Sequence, residues 1–204
     1  DVVDSTNDAL NVSIAQATTV GIAFTSGNVV TVNGAGADLV TAIGNYSVNV
    51  DVLDASDAVT TLTVAKAGTL ETDGVRFEAG DSVTVTDTQA NIVGINFTNL
   101  KDNVGVDSID ASGGNSITVS VTQATAGLTF VDGTVIVSDT QGAIEGVDFT
   151  VLSGAGVTHV DSTNNALNVS FEEASGSIAF TSGDTVTIVD DSTHLNGADY
   201  STIN

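Results

Sequence analysis

"ITVSVTQATAG", residues 117–127, alternates apolar and polar side chains through Ile117, Val119 and Val121 before it reaches Ala124. Strict alternation marks a strand with one buried face. The same rhythm runs through Leu10/Val12/Ile14, Leu62/Val64 and Leu167/Val169/Phe171, and each run again reaches an Ala, at 17, 67 and 174. All four segments are predicted to be strands. Two of them sit in near-identical text: "VDSTNDALNVS" at 3–13 and "VDSTNNALNVS" at 160–170 differ only where Asp8 becomes Asn165.

Self-similarity at a fixed period decides the fold before any single element does. An apolar-Asp pair opens each copy, at Val3-Asp4, Leu53-Asp54, Ile109-Asp110 and Val160-Asp161, with spacings of 50, 56 and 51 residues. Four units follow, 1–48, 49–104, 105–155 and 156–204. A second marker, Phe-x-x-Gly, stands at Phe24, Phe77, Phe130 and Phe180, and leads into "VVTV", "SVTV", "TVIV" and "TVTI". A third is an aromatic residue at Tyr46, Phe97, Phe149 and Tyr200, so that of all the aromatics only Phe171 falls outside two recurrent columns. Within a unit, 117–127 resembles "VIVSDTQGAIEG" at 135–146, which divides the unit into two coils of about 25 residues. The expected architecture is an all-β repeat β-solenoid, parallel β-helix-like, whose coils bury Val, Ile, Leu and Phe against their neighbours. Tandem small β-sandwiches, each made from about two units, are the alternative.

The chain carries 26 acidic residues against 3 basic ones, a net charge of −23, and 21 of the acids are Asp. Neutralising phosphates requires Lys and Arg, so nucleic acid is excluded as a partner. Polybasic patches for anionic lipid are missing as well, and no apolar run approaches the roughly 18 residues of a membrane span. With 41% apolar residues the chain is expected to be ordered despite its acidity. Lack of Cys rules out disulfide staples and thiol chemistry. Lack of Met makes residue 1 an unexpected translational start, which suggests a mature product or a segment of a longer chain.

One observation joins the two ends of the sequence. "YSVNVDVLD" at 46–54 places Asp54 eight residues after Tyr46, and "YSTIN" (200–204) written before "DVVD" (1–4) places Asp4 eight residues after Tyr200. Neither end reads as the polar cap that a solitary solenoid carries. The expectation is a head-to-tail homopolymer, or further repeats of the same chain.

"SVTVTDTQANIVG" (82–94) and "GVDSIDASGGNSITVSVTQA" (105–124) resemble the Asp-, Thr- and Ala-rich repeats of very large secreted bacterial surface proteins, adhesin-like and exported by type I secretion. The resemblance covers nearly the whole chain through composition. It implies an extracellular, cell-surface, structural role, often beside calcium-binding segments. "GGNSITV" at 113–119 keeps the paired Gly of the calcium β-roll but lacks its third Gly and its Asp, so those ligands do not carry over.

Catalytic equipment is sparse. His159 and His194 have no metal-ligand spacing to each other, and Lys66, Arg76 and Lys101 are the only cations. No enzyme activity is expected. The recurrent Asp residues support two readings: turn residues bonded to nearby backbone N–H groups, or oxygen ligands for Ca²⁺ supplied by adjacent coils. Asp4, Asp54, Asp110 and Asp161 form one candidate metal set, and Asp87, Asp139 and Asp190, with neighbouring Asp191, form a second. Carboxylates about 4.8 Å apart repel by about 3.5 kcal/mol at an effective dielectric of about 20, against about 1.7 at about 10 Å, so direct stacking would favour a cation and alternate stacking would not need one. Outward Thr84, Thr86 and Thr187 suggest ice or carbohydrate binding as an alternative function, although Ile136, Ser138 and Val189 interrupt the columns. Sequons stand at Asn11, Asn45, Asn96 and Asn168. The expected role is that of an extracellular filament, sheath, surface layer or adhesin stalk built by end-to-end stacking.

Overall fold

Ser120 is where the chain departs from the expected strand. In a computed structural model that describes residues 1–112, 116–131 and 133–203, the strand Ile117–Val119 stops at Ser120 and the helix Val121–Ala124 begins. The Ser120 hydroxyl accepts the Gln123 N–H at 3.2 Å, and the Gln123 side-chain oxygen accepts the Ser120 N–H at 3.0 Å. This reciprocal box satisfies two of the N–H groups that a helix start leaves over. Ser13 with Gln16, and Ser170 with Glu173, build the same box, while Thr63 caps the longer helix Val64–Asp73 through Lys66 N–H alone. The residues that the alternation assigned to the ends of strands, Ile14, Val64, Val121 and Phe171, are each the first residue of a helix. The alanines that follow, Ala17, Ala67, Ala124 and Ala174, are buried. A methyl group is small enough to let each short helix pack closely inside the coil.

Helix and strand each occupy about 30% of the chain, so the all-β repeat β-solenoid is incorrect. The fold is mixed α/β, with several short parallel sheets. Tandem sandwiches are equally incorrect, because sandwiches are built from antiparallel sheets and every strand pair with a defined register here is parallel. A second corner accounts for more of the helix. After the "VTV"-type strands, Thr88, Thr140 and Asp191 precede the helices Gln89–Ile92, Gln141–Ile144 and Ser192–Asn196. The first unit uses Gly36–Ala42 at this place. Gly36 is required there, since a Cβ would stand 2.2 Å from the Val59 carbonyl oxygen.

The chain divides into two compact parts, Asp1–Asp87 with Ile95–Ser108, and Thr88–Gly94 with Ile109–Asn204. In the first part, Val2–Val3 pairs with Ala23–Phe24, and Val59–Leu62 pairs with Ser82–Asp87. Its central sheet has the order Ala9–Ser13, Val29–Gly34, Val52–Ala55, Arg76–Phe77. Register places Val12, Val32, Leu53 and Phe77 in one inward column. The second part repeats this plan with Ile117–Val119, Val135–Asp139, His159–Ser162 and Ala179–Phe180, whose column is Val119, Val137, Val160 and Phe180. There Ala166–Val169 pairs with Thr185–Ile188, and Ser108–Ala111 neighbours Thr129–Phe130. A complete sheet therefore takes two strands from one repeat and two from the next. The paired glycines at 113–114, position 132 of the third Phe-x-x-Gly, and residue 204 lie outside the described residues.

Neither of two ring contacts among the described residues runs along an aromatic column. Phe149 meets Phe180 at 6.3 Å, joining one column to the other, and Phe171, the residue outside both columns, meets Tyr200 edge-on at 5.9 Å. Phe24, Phe77, Phe97, Phe130 and Phe149 are nevertheless buried.

If the strand ended in a capped helix only by accident, Ser120 would be replaceable. Ser120→Ala is expected to cost about 1 kcal/mol in chemical denaturation. A change near zero would mean that residues 121–124 are not held as a helix.

Candidate functional site

Each candidate aspartate has an identifiable place. Asp87 and Asp139 end the strands Ser82–Asp87 and Val135–Asp139, Asp190 stands two residues beyond Thr185–Ile188, and each reaches back to the helix one coil earlier. Their Oδ2 atoms accept the N–H groups of Val64 at 3.0 Å, Val121 at 3.1 Å and Phe171 at 3.1 Å. Those three residues are the first of their helices, whose N–H groups have no acceptor inside the helix. In the first repeat the corresponding position is Gly34, packed against the Ile14 side chain. Of the other set, Asp4 accepts a long bond from Asn28 Nδ2 at 3.4 Å, and Asp161 accepts the hydroxyls of Ser138 and Thr181, both at 2.8 Å. Asp54 and Asp110 are half-buried.

Five more aspartates do the same work and were not singled out in the sequence. Asp51 accepts Val30 N–H at 2.8 Å, Asp57 accepts Gly36 N–H at 2.9 Å, Asp81 accepts Ala55 N–H at 3.0 Å, Asp107 accepts Val83 N–H at 2.9 Å, and Asp184 accepts Ser162 N–H at 3.2 Å. Counting these with Asp87, Asp139 and Asp190, eight aspartates bond to a backbone 18 to 26 residues earlier. A detectable signal existed: Asp51 and Asp107 each stand two residues before an inward strand residue, and Asp81 and Asp184 each follow the Gly of Phe-x-x-Gly. Burial pushes the Asp81 carboxyl up, against the Ala55 bond, and the charges of Asp54, Asp57 and Asp107 push the same way. Lys66 serves the opposite pole, donating to the Ile43 carbonyl at 2.7 Å at the end of Gly36–Ala42.

Among the described residues, one group of carboxylate and imidazole ligands converges: Asp190, Asp191 and His194, with ligand atoms within 4.8 Å of one another. Asp190 and its neighbour Asp191 belong to the second candidate metal set, and the sequence reading missed the i, i+4 relation of Asp190 to His194. His194 Nδ1 lies 2.8 Å from Asp190 Oδ1 and 3.5 Å from Asp191 Oδ1. The hydrogen bond to Asp190, then the charges of Asp191 and Asp190, raise the His194 pKa above 6.5. That same bond, with the N–H groups of Phe171 and Asp191, lowers Asp190. Asp191 is lowered first by the His194 N–H, which it accepts as the helix cap. Both carboxylates are thus already engaged by donors, and the arrangement can act as a proton-dependent clamp on the helix Ser192–Asn196. Nearby, a groove of about 570 Å³ carries Glu145, Asp148, Glu172 and Glu173 on its walls, a surface that repels anions.

Two of the four sequons have a structural explanation. Asn96-Phe97-Thr98 shares its pattern with Asp148-Phe149-Thr150 and Asp199-Tyr200-Ser201, and in all three the first side chain caps the turn that follows. Asn45-Tyr46-Ser47 is the first-repeat member of this series, with the Tyr46 hydroxyl donating to Leu39 O at 2.7 Å. The outward threonines make no continuous array: Thr84 lies beside Thr61, but Thr187 lies beside Asn168 and Thr118 beside Ile136.

A ring titration by NMR checks the clamp. The His194 midpoint is expected above 6.5 and should fall in Asp190→Asn; a wild-type midpoint at or below 6.5 would remove it. The sign follows from the two shifts. The pair's contribution is full below the unfolded His value of 6.5, fades as pH rises through the raised folded value, and fades again as pH falls through the lowered Asp190 value. Against protein-family models, curated proteins and solved structures, the chain shows no match.

Proposed function

We propose that this chain is an extracellular structural repeat protein that forms, or belongs to, a self-assembling filament, sheath, surface layer or adhesin stalk. The observation that carries this reading is the recurrent bond from one coil's aspartate to the previous coil's backbone. A coil built this way completes its predecessor and offers its own N–H groups to a successor. Such a stack is extended by adding coils, which is the property a fibre or stalk needs. The extracellular setting rests on the resemblance to secreted surface repeats, and the partner is another set of the same coils. Calcium in this reading screens neighbouring carboxylates at the surface and is not an element of the fold. The function is mechanical, with no active site.

Charge sets the condition for assembly. At −23 per chain, copies repel over about 30 Å at 0.01 M salt but only about 8 Å at 0.15 M. Light scattering and negative-stain microscopy are expected to show polymers that grow with concentration at 0.15 M salt and dissociate at 0.01 M. Monodisperse single chains at every concentration and both salts would overturn the reading, and thermal hysteresis in that sample would establish ice binding in its place.

A further inference from the structure

Two sheets are half the size of the others, and the halves are complementary. A full sheet runs in the order of two strands from one repeat and then two from the next, as in Ala9–Ser13, Val29–Gly34, Val52–Ala55, Arg76–Phe77. The sheet of Val2–Val3 and Ala23–Phe24 holds only the second pair of that order, and the sheet of Ala166–Val169 and Thr185–Ile188 holds only the first. Among the described residues, no strand pairs with the outer edge of Thr185–Ile188. Side-chain cover follows the same division. Val32 and Val137 are 0% exposed, as are their partners Leu53 and Val160. The corresponding residues at the open edges differ: Ile188 is only half-buried and Val3 is 36% exposed.

We propose that a second copy of this chain docks its Val2–Val3 strand, in parallel, on the free edge of Thr185–Ile188, and so completes a four-stranded sheet between copies. This rests on the self-assembly reading above and specifies its contact. Register follows from two of the full sheets. Val32 faces Leu53 and Asn33 faces Asp54, while Val137 faces Val160 and Ser138 faces Asp161. Equivalence therefore sets Ile188 opposite Val3 of the second copy, and Val189 opposite its Asp4. The polar bond follows the same rule. Asp51 and Thr158, each two residues before the inward strand residue, accept the N–H groups of Val30 and Val135 at 2.8 and 3.0 Å. Asp1 holds that place relative to Val3, so its carboxylate accepts the Val186 N–H across the contact.

Cysteine pairs read this register directly, because the chain has no Cys of its own. Residues opposite each other on parallel strands stand about 4.8 Å apart, within disulfide range, whereas a two-residue offset places them roughly 8 Å apart, beyond it. The variant Asp4→Cys/Val189→Cys changes two exposed positions and is expected to give a ladder of disulfide-linked multimers on a non-reducing gel after mild oxidation. A mixture of the two single variants should give a linked dimer. The offset variant Asp4→Cys/Thr187→Cys should give at least tenfold less product. Circular dichroism like that of the parent chain establishes that each variant is folded. If light scattering shows assembly yet the in-register pair links no better than the offset pair, the docking is wrong and the self-assembly reading stands. If no variant or parent chain assembles, both fail.

Discussion

Stacked coils must satisfy the backbone at their corners, and here a carboxylate from the next coil does it. Within a sheet the ladder takes care of N–H and C=O groups, but a chain that turns from strand to helix leaves its first helical N–H groups without acceptors. Asp87, Asp139 and Asp190 supply acceptors to Val64, Val121 and Phe171, while Asp51 and Asp107 do so for strand residues Val30 and Val83. Bonds of this kind, from a charged acceptor to a backbone donor, contribute about 1.5–3 kcal/mol each where water is excluded; at these half-exposed corners the low end applies. Their arrangement also gives the molecule direction, since each coil completes the one before it.

The same constraint accounts for part of the acid count and for its bias toward Asp. The side chain that reaches an N–H one strand away must be short and must lose little rotamer freedom, and Asp meets both conditions better than Glu. The chain uses 21 Asp and 5 Glu. Crowding of the carboxylates has its own cost, visible at Asp81, where burial and the charges of Asp54, Asp57 and Asp107 all disfavour ionisation. With so few cations available, Lys66 is placed where a positive charge is most useful, at the carbonyl end of a helix.

Periodicity made the strands legible and concealed the corners. "VVTV", "SVTV" and "TVTI" do lie in strands, Val29–Gly34, Ser82–Asp87 and Thr185–Ile188, with their alternate valines turned inward. The error began at the last apolar residue of each alternating run. Val121 keeps the spacing of Ile117 and Val119, and a period of two cannot distinguish one more strand residue from the first residue of a helix. The discriminating residues were Ser120 and Gln123, a capping box written in the text, followed by the buried Ala124. Helices of four residues contain too little of the 3.6 period to announce themselves by pattern. Asp51, Asp107 and Asp184 were missed for a different reason: their places in the repeat recur, but their partners are backbone atoms 21 to 24 residues away, which no side-chain pattern names. His194 was compared with His159 alone, although Asp190 stood four residues before it.

Amide hydrogen exchange tests the carboxylate bonds between coils most directly. The first N–H of a helix exchanges rapidly when water is its only partner, so Val64, Val121 and Phe171 should instead be protected, each by a carboxylate from the following coil. Ile14, whose corresponding neighbour is Gly34, should exchange faster than all three, and Asp87→Ala should remove protection at Val64 while leaving Val121 unchanged. Equal, fast exchange at all four amides would contradict the account.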